Sequence, residues 1–351
     1  MITYRRFDPE HDFPIVAELV RDANAHDGEP FLPTPTELAV DWAATSGYEP
    51  ARDTLLAFEG DRLVGATQVG WRERAGTIVH NMEIWVRPVD RRHGIGTALL
   101  RWAEDHTVEA VHLGYGGSPA LPHVHNGGTD RDNAAANAFA RAMGYAPIRY
   151  GFLMERNLAE PIPDVAVPDG IEIRPVVEAD YRAIWNADVE AFRDHWENAI
   201  REESDYRRFF ENPYLDTSLW QVAWAGDEVA GSVLNFIYPS ENRELGIEAG
   251  WLQHVSTRRA YRGRGVAGLL IARSLVVLRE RGMAVARLGV DASNPTGALG
   301  LYQRFGFTDF RQWIAQRKPF PAGVGTTPRP DALPEQFRDA AVAGNLPGAA
   351  A

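Results

Sequence analysis

Apolar and polar residues alternate along Ile2-Thr3-Tyr4-Arg5-Arg6, a period of two that predicts a strand. The pattern returns at Ile171-Glu172-Ile173-Arg174-Pro175, and a helical stretch follows each copy. Farther on, Thr54-Leu55-Leu56-Ala57-Phe58 passes through Glu59-Gly60-Asp61 into Leu63-Val64-Gly65-Ala66. Trp220-Gln221-Val222-Ala223-Trp224 likewise passes through Ala225-Gly226-Asp227 into Val229-Ala230-Gly231-Ser232. A glycine–aspartate pair between apolar runs predicts a hairpin in both places. Another strand then feeds an Arg- and Gly-rich loop and an apolar helix. These are Glu83–Val86 before Arg91-Arg92-His93-Gly94-Ile95-Gly96, and Gln253–Thr257 before Arg262-Gly263-Arg264-Gly265-Val266-Ala267. Both series close on glycine and an aromatic residue, Met143-Gly144-Tyr145 and Phe305-Gly306-Phe307.

Matching positions lie far apart, 162 residues for Gly144 and Gly306 and 175 for Leu113 and Leu288. Solenoid repeats recur every 20–50 residues or about that, so this is a duplicated domain. The length of 351 residues agrees, at about 150 per domain. The expected domains are 1–156 and 171–320, joined by a linker at 157–170 that carries Pro161, Pro163 and Pro168. A Pro-, Ala- and Gly-rich tail occupies 321–351.

Composition narrows the function. A formal charge of −12 disfavours broad electrostatic binding to nucleic acid or anionic lipid and suits a cationic small substrate. The chain has no cysteine, which excludes disulfides, thiolate metal sites and a cysteine nucleophile. The longest apolar segment, Val266–Leu278, is broken by Arg273, and Met1–Arg6 lacks the apolar stretch of a secretion signal. The expectation is a cytoplasmic protein without a membrane partner. His123-Val124-His125 reads as part of a polar surface insertion, Gly114–Asp130, and since no third ligand is suitably spaced no metal is expected.

Gly263-Arg264-Gly265-Val266-Ala267-Gly268 formally fits the dinucleotide fingerprint, with Asp291 as its acid. That reading fails on context. Five residues, Arg258 to Arg262, separate the loop from its strand, and an antiparallel hairpin precedes it where a parallel βαβ unit is required. No Gly-Lys-(Ser/Thr) follows either loop, so a Walker loop fails too. What both copies share is a strand, an Arg-x-x-Gly-x-(Gly/Ala) turn and a helix start. Glycines admit an anion to the backbone, and the helix N-terminus adds about half a positive charge, which together make a pyrophosphate cradle.

With the run from Asn294-Pro295-Thr296-Gly297 through Leu301-Tyr302-Gln303-Arg304-Phe305-Gly306-Phe307, the chain resembles the GNAT superfamily of acyl-CoA-dependent N-acetyltransferases. The resemblance is strong over 171–318 and weaker over 2–156. A tandem pair is the arrangement of mycothiol synthase and of several antibiotic-modifying actinobacterial acetyltransferases. It implies an α/β protein of two GNAT folds, each a mixed, mostly antiparallel sheet flanked by helices. It also implies that Val255 and Thr257 pair through their backbones with the pantetheine arm of acetyl-CoA. Arg262, Gly263, Arg264, Gly265, Val266 and Ala267 would hold the pyrophosphate, and Asn294 would bond the arm near the thioester. Tyr302 would protonate the leaving sulfur, or else serve as a packed aromatic. Asp188, Glu190, Asp194, His195, Trp196 and Glu197 fall where the acceptor pocket is shaped, and could suit a cationic amine.

Aligning the Gly–aromatic endings sets Ala140 opposite Tyr302 and Asp132, with Asn133 beside it, opposite Asn294. The first copy therefore reads as degenerate. The attacking amine needs a base; Glu248, His254 and solvent water stay open as candidates. The expected activity is direct transfer of an acetyl group from acetyl-CoA to a primary amine of a small molecule. Alternatives are a longer acyl donor, a peptide N-terminus as acceptor, or a non-catalytic acyl-CoA-binding regulator.

Overall fold

The computed structural model describes residues 1–29, 31–43, 47–196, 201, 203–212, 214–292 and 297–321. The first series of elements is β1 (Ile2–Arg6), α1 (Phe13–Asp27), α2 (Pro35–Ala43), α3 (Pro50–Asp53), β2 (Thr54–Glu59), β3 (Arg62–Arg74), β4 (Thr77–Val86), α4 (Ile95–His112), β5 (His123–Asp130), α5 (Ala134–Ala142) and β6 (Ala146–Asn157). The second is β7 (Glu172–Ile173), α6 (Tyr181–Ala191), α7 (Glu203–Phe210), β8 (Gln221–Ala225), β9 (Glu228–Ile237), α8 (Pro239–Leu245), β10 (Ala249–Thr257), α9 (Val266–Glu280), β11 (Val285–Asp291), α10 (Ala298–Arg304) and β12 (Thr308–Pro319). Both hairpins form where expected, β2–β3 and β8–β9, turning at Gly60 and Gly226 in the left-handed region.

The chain divides into two compact units, and their boundaries correct the sequential cut expected at 156. Unit 1 comprises 1–129, 133–148 and 315 onward; unit 2 comprises 130–132 and 149–314. The reason lies in strand pairing. Gly151–Asn157 of β6 pairs antiparallel with β11, Gly151 opposite Asp291 and Asn157 opposite Val285, and so completes unit 2. The end of β12 lies next to β5 in unit 1, where Gln316 Nε2 donates to Thr129 Oγ1 (3.1 Å) and Lys318 Nζ meets Glu104 Oε2 (2.8 Å). The expected linker is also part of unit 2's packing: Leu158 is buried in the core, with Ile162 and Val165 against it. Of the Pro-, Ala- and Gly-rich tail, 322–351 falls outside the described residues.

In each unit helices cover both faces of the strands, and the alternation of side chains shows why. In unit 1, Leu55 and Ala57 join the cluster under α4 with Leu99 and Trp102, whereas Leu56 and Phe58 join the cluster under α1 with Leu19 and Trp42. In unit 2, Ala223 and Val233 pack with Leu270 and Leu275 of α9, while Val222, Trp224 and Leu234 pack with Ile184 of α6. Helix α9 buries Leu270, Ile271 and Leu275, and such spacing keeps its apolar stripe on one face. It stops where Gly282 turns left-handed and Met283 N reaches back to Leu278 O (3.0 Å). Each fully buried leucine there contributes about 1.5–3 kcal/mol.

His123 and His125 are not on a surface loop. They lie on β5, 7% and 1% exposed, because β5 pairs in parallel with β4 from Ile78–His123 to Asn81–Asn126. Strand β5 is the counterpart of β11, so the additional residues of the first copy lie between α4 and β5, and Leu113, just past the end of α4, is not the partner of Leu288.

Candidate active site

The same anion cradle is built in both units. In unit 2, Arg262 folds back so that its Nε donates to Thr257 O and its Nη2 to Ala191 O (both 3.1 Å), tying the loop to β10 and α6. Gly263 and Gly265 then turn with φ of 74° and 86°, a region that penalises any side chain, and α9 starts at Val266. The N–H groups of its first turn have no partners within the helix, which suits them to an anion. In unit 1, Arg91 Nε donates to Val86 O (3.1 Å), and Arg92 and Gly94 take φ of 69° and 83°. Arg92 occupies the position of Gly263, and holding an L-residue left-handed costs about 1–2 kcal/mol.

Each cradle closes one end of a cleft made by strands that stop pairing. Strand β10 pairs with β11 only from Ala249 to Trp251, and its ladder with β9 shifts between Leu252 and His254. From there to Thr257 its β11-side edge has no strand partner among the described residues, and Val255 and Thr257 pair only with Val233 and Gly231 of β9. Thr257 Oγ1 is buried with no partner. The matching divergence of β4 from β5 after Asn81 opens a cavity of about 650 Å³ in unit 1. Met82, Ile84, Gly94, Gly96, Asn133 and Phe139 line it. Ala140 is also on its wall, and Asn133 caps α5, accepting from Ala136 N (3.0 Å).

The candidate base residues separate. Glu248 is exposed and precedes β10, and its carbonyl accepts from Ala284 N (2.7 Å) and Val285 N (3.0 Å). His254 lies six residues along, about 20 Å at a strand's rise, where the edge opens. Its Nδ1 donates to Asp188 Oδ2 (2.9 Å), and Arg201 Nη1 donates to the same oxygen (2.8 Å). Phe209 and Phe192 flank the imidazole at 5.4 and 5.7 Å. Burial pushes the Asp188 carboxyl up, but His254 and Arg201 outweigh this and hold it below the ordinary carboxylate range.

Tyr302, on α10, is buried against Phe307, and burial raises its phenol above the ordinary value, so it stays protonated at neutral pH. Asn294 is outside the described residues, as is Glu197. Of the remaining acceptor-side residues, Glu190 is paired with Arg258 (2.8 Å), and Trp196 lies 5.2 Å from Arg149, which is itself paired with Asp291. His195 packs on Phe192, and burial lowers its imidazole. Of the carboxylates expected to meet a cationic amine, Asp188 and Glu190 are thus committed to neighbouring residues. Arg201 was missed in the sequence because nothing local marks it as the partner of an aspartate thirteen residues earlier.

Two copies of a diverging strand pair, an arginine–glycine cradle and a helix start define a tandem acetyltransferase. The chain belongs to the GNAT family: the model described as Acetyltransferase (GNAT) domain matches 173–309, and that described as Acetyltransferase (GNAT) family matches 16–145. Among similar proteins, a mycothiol acetyltransferase of Nocardia farcinica is 32% identical over 298 residues, 83% of this chain and 89% of the relative. One of Geodermatophilus obscurus is 28% identical, over 86% of this chain and 92% of its own length. A crystal structure of a GCN5-related N-acetyltransferase from Sphaerobacter thermophilus is 26% identical with a TM-score of 0.68, covering 93% of this chain and 98% of that one. Among the described residues, no helix is long and apolar enough to cross a membrane, and no group of three or more His, Cys, Asp or Glu could hold a metal ion.

Proposed function

We propose that unit 2 moves an acetyl group from acetyl-CoA to a primary amine of a small molecule by direct attack. The observation that carries this is the layout of β10, which sets His254, an unpaired edge at Val255–Thr257 and the cradle Arg262–Ala267 in succession. The edge suits the amide groups of a pantetheine arm, and the cradle suits a pyrophosphate. His254 takes a proton from the amine, the nitrogen attacks the thioester carbon, a C–N bond forms as the C–S bond breaks, and Tyr302 supplies the proton to the sulfur. His254 is favoured over Glu248 because it stands at the opening of the strands. Similarity to mycothiol acetyltransferases supports a small-molecule acceptor.

Unit 1 supports a second reading for its own cleft. Its cavity and cradle suit a CoA thioester, but Ala140 stands where a proton donor would, so it binds without transferring. The test is thiol release and product mass with acetyl-CoA and a panel of aminosugars, polyamines and amino-acid amides. Acetylation of an amine is expected. Acetyl-CoA binding without thiol release for any amine overturns the reading in favour of a regulator, and a preference for longer acyl-CoA reassigns the donor.

A further inference from the structure

We infer that Asp188 is a positioning residue for acyl transfer, fixing the proton on His254 Nδ1 so that Nε2 carries the lone pair offered to the acceptor amine. This rests on the reading of His254 as the base. Asp188 is 1% exposed, and its Oδ2 lies 2.9 Å from His254 Nδ1. An ionised carboxylate can only accept hydrogen bonds, so Nδ1 must be the donor and the neutral ring is left with its free pair on Nε2. His254 Nε2 makes no hydrogen bond to any described residue. Phe192 and Phe209 leave the ring little room to turn.

The duplicated fold supplies the control. In unit 1 the corresponding helix α1 buries Val16, Ala17, Leu19, Val20 and Ala23, all apolar, and the strand position corresponding to His254 is Glu83. A buried aspartate at this place is therefore no requirement of the fold. It is also costly: Asp188 Oδ1 is buried with no partner, and an ion taken out of water needs its pairing to offset the desolvation. The charged or titratable groups around the carboxylate are His254, Arg201 and, at longer range, His195. Arg201 keeps Asp188 ionised, which is the state the tautomer requires.

The experiment compares Asp188→Asn with His254→Gln, using the amine best turned over in the panel. Asp188→Asn should lower kcat by roughly 10²–10⁴ with little change in KM for acetyl-CoA, a split that a merely structural role would not produce. An unchanged kcat in Asp188→Asn, with His254→Gln inactive, overturns this inference and leaves the base reading standing. An unchanged rate in His254→Gln overturns both. Should Asp188→Asn fail to fold, ring ¹⁵N NMR of the unaltered protein decides, with the His254 signals assigned by their loss in His254→Gln: a proton on Nδ1 is expected, and a proton on Nε2 in the neutral ring overturns the inference.

Discussion

Unit 1 and unit 2 share the geometry of loop and cleft and differ in the side chains set around it. Both anchor a loop arginine to the carbonyl five residues back at 3.1 Å, and both enter the helix through a glycine at φ of 83° or 86°. Both let the central parallel pair stop early. Yet where unit 2 has Tyr302 and His254, unit 1 has Ala140 and Glu83, and where α6 buries Asp188, α1 buries only apolar side chains. Backbone features of a binding cleft follow from the fold and survive duplication together. Side chains such as Tyr302 and His254 are single positions and can differ singly.

The comparison can be broken most sharply at Tyr302. Tyr302→Phe keeps the ring packed on Phe307 and removes the proton, so single-turnover acyl transfer should slow by roughly 10²–10⁴ with acetyl-CoA affinity little changed. A wild-type rate would make Tyr302 core packing only. Next come the paired cradle variants. Gly265→Glu forces a side chain into a left-handed turn, at about 1–2 kcal/mol, and places a carboxylate beside the phosphates. Calorimetry should show acetyl-CoA binding to unit 2 weakened about 10²-fold, and turnover lost with it. Gly94→Glu should leave the chemical step intact; an equal collapse of turnover in folded protein would show that unit 1 takes part in the reaction.

The two units should also part company in acid. His80 Nε2 and His123 Nδ1 lie 3.0 Å apart, and His125 Nε2 meets Thr107 Oγ1 (2.9 Å). Phe320 packs on all three rings. Burial drives His80 down to about 2 and His125 to about 3 from an ordinary 6.5, and lowers His123 as well. As pH falls through 6.5, the unfolded chain takes up protons that the folded chain refuses, so stability is lost downward from there. Each of the two most shifted histidines accounts for on the order of 1 kcal/mol by pH 5.5. Hydrogen exchange at pH 5.5 should show β4 and β5 deprotected relative to pH 7.5, and equal protection at both would refute it. The smallest effect is expected at Gly151, where an added Cβ would collide with the Trp313 ring. Gly151→Ala should cost about 1–3 kcal/mol in urea unfolding while sparing acetyl-CoA affinity.

What could be read in the sequence was whatever is encoded locally. The Gly60-Asp61 and Gly226-Asp227 turns, the two loops and the repeat all depend on residues within a few positions of one another. Strand β7 proved shorter than its alternation suggests, only Glu172–Ile173, because Pro175 soon ends the extended run. The destinations of β6 and β12 could not be read: each looks like an ordinary closing strand, and nothing in Phe152 or Leu153 names β11 as its partner rather than β5. The burial of His123 and His125 depends on another long-range pairing, that of β5 with β4. The bond from Asp188 to His254 spans 66 positions, and two polar residues on separate elements give no pattern that would join them.

The placing of β12 also bears on synthesis. Polypeptides leave the ribosome N-terminus first, and domains ordinarily close as they emerge. Here β5 waits for Ala315–Pro319, so unit 1, although translated first, keeps one sheet edge bare until nearly the whole described chain exists. Unit 2 has its borrowed strand in hand before its own residues appear. The half of the chain made first is therefore sealed by one of the last segments to be made.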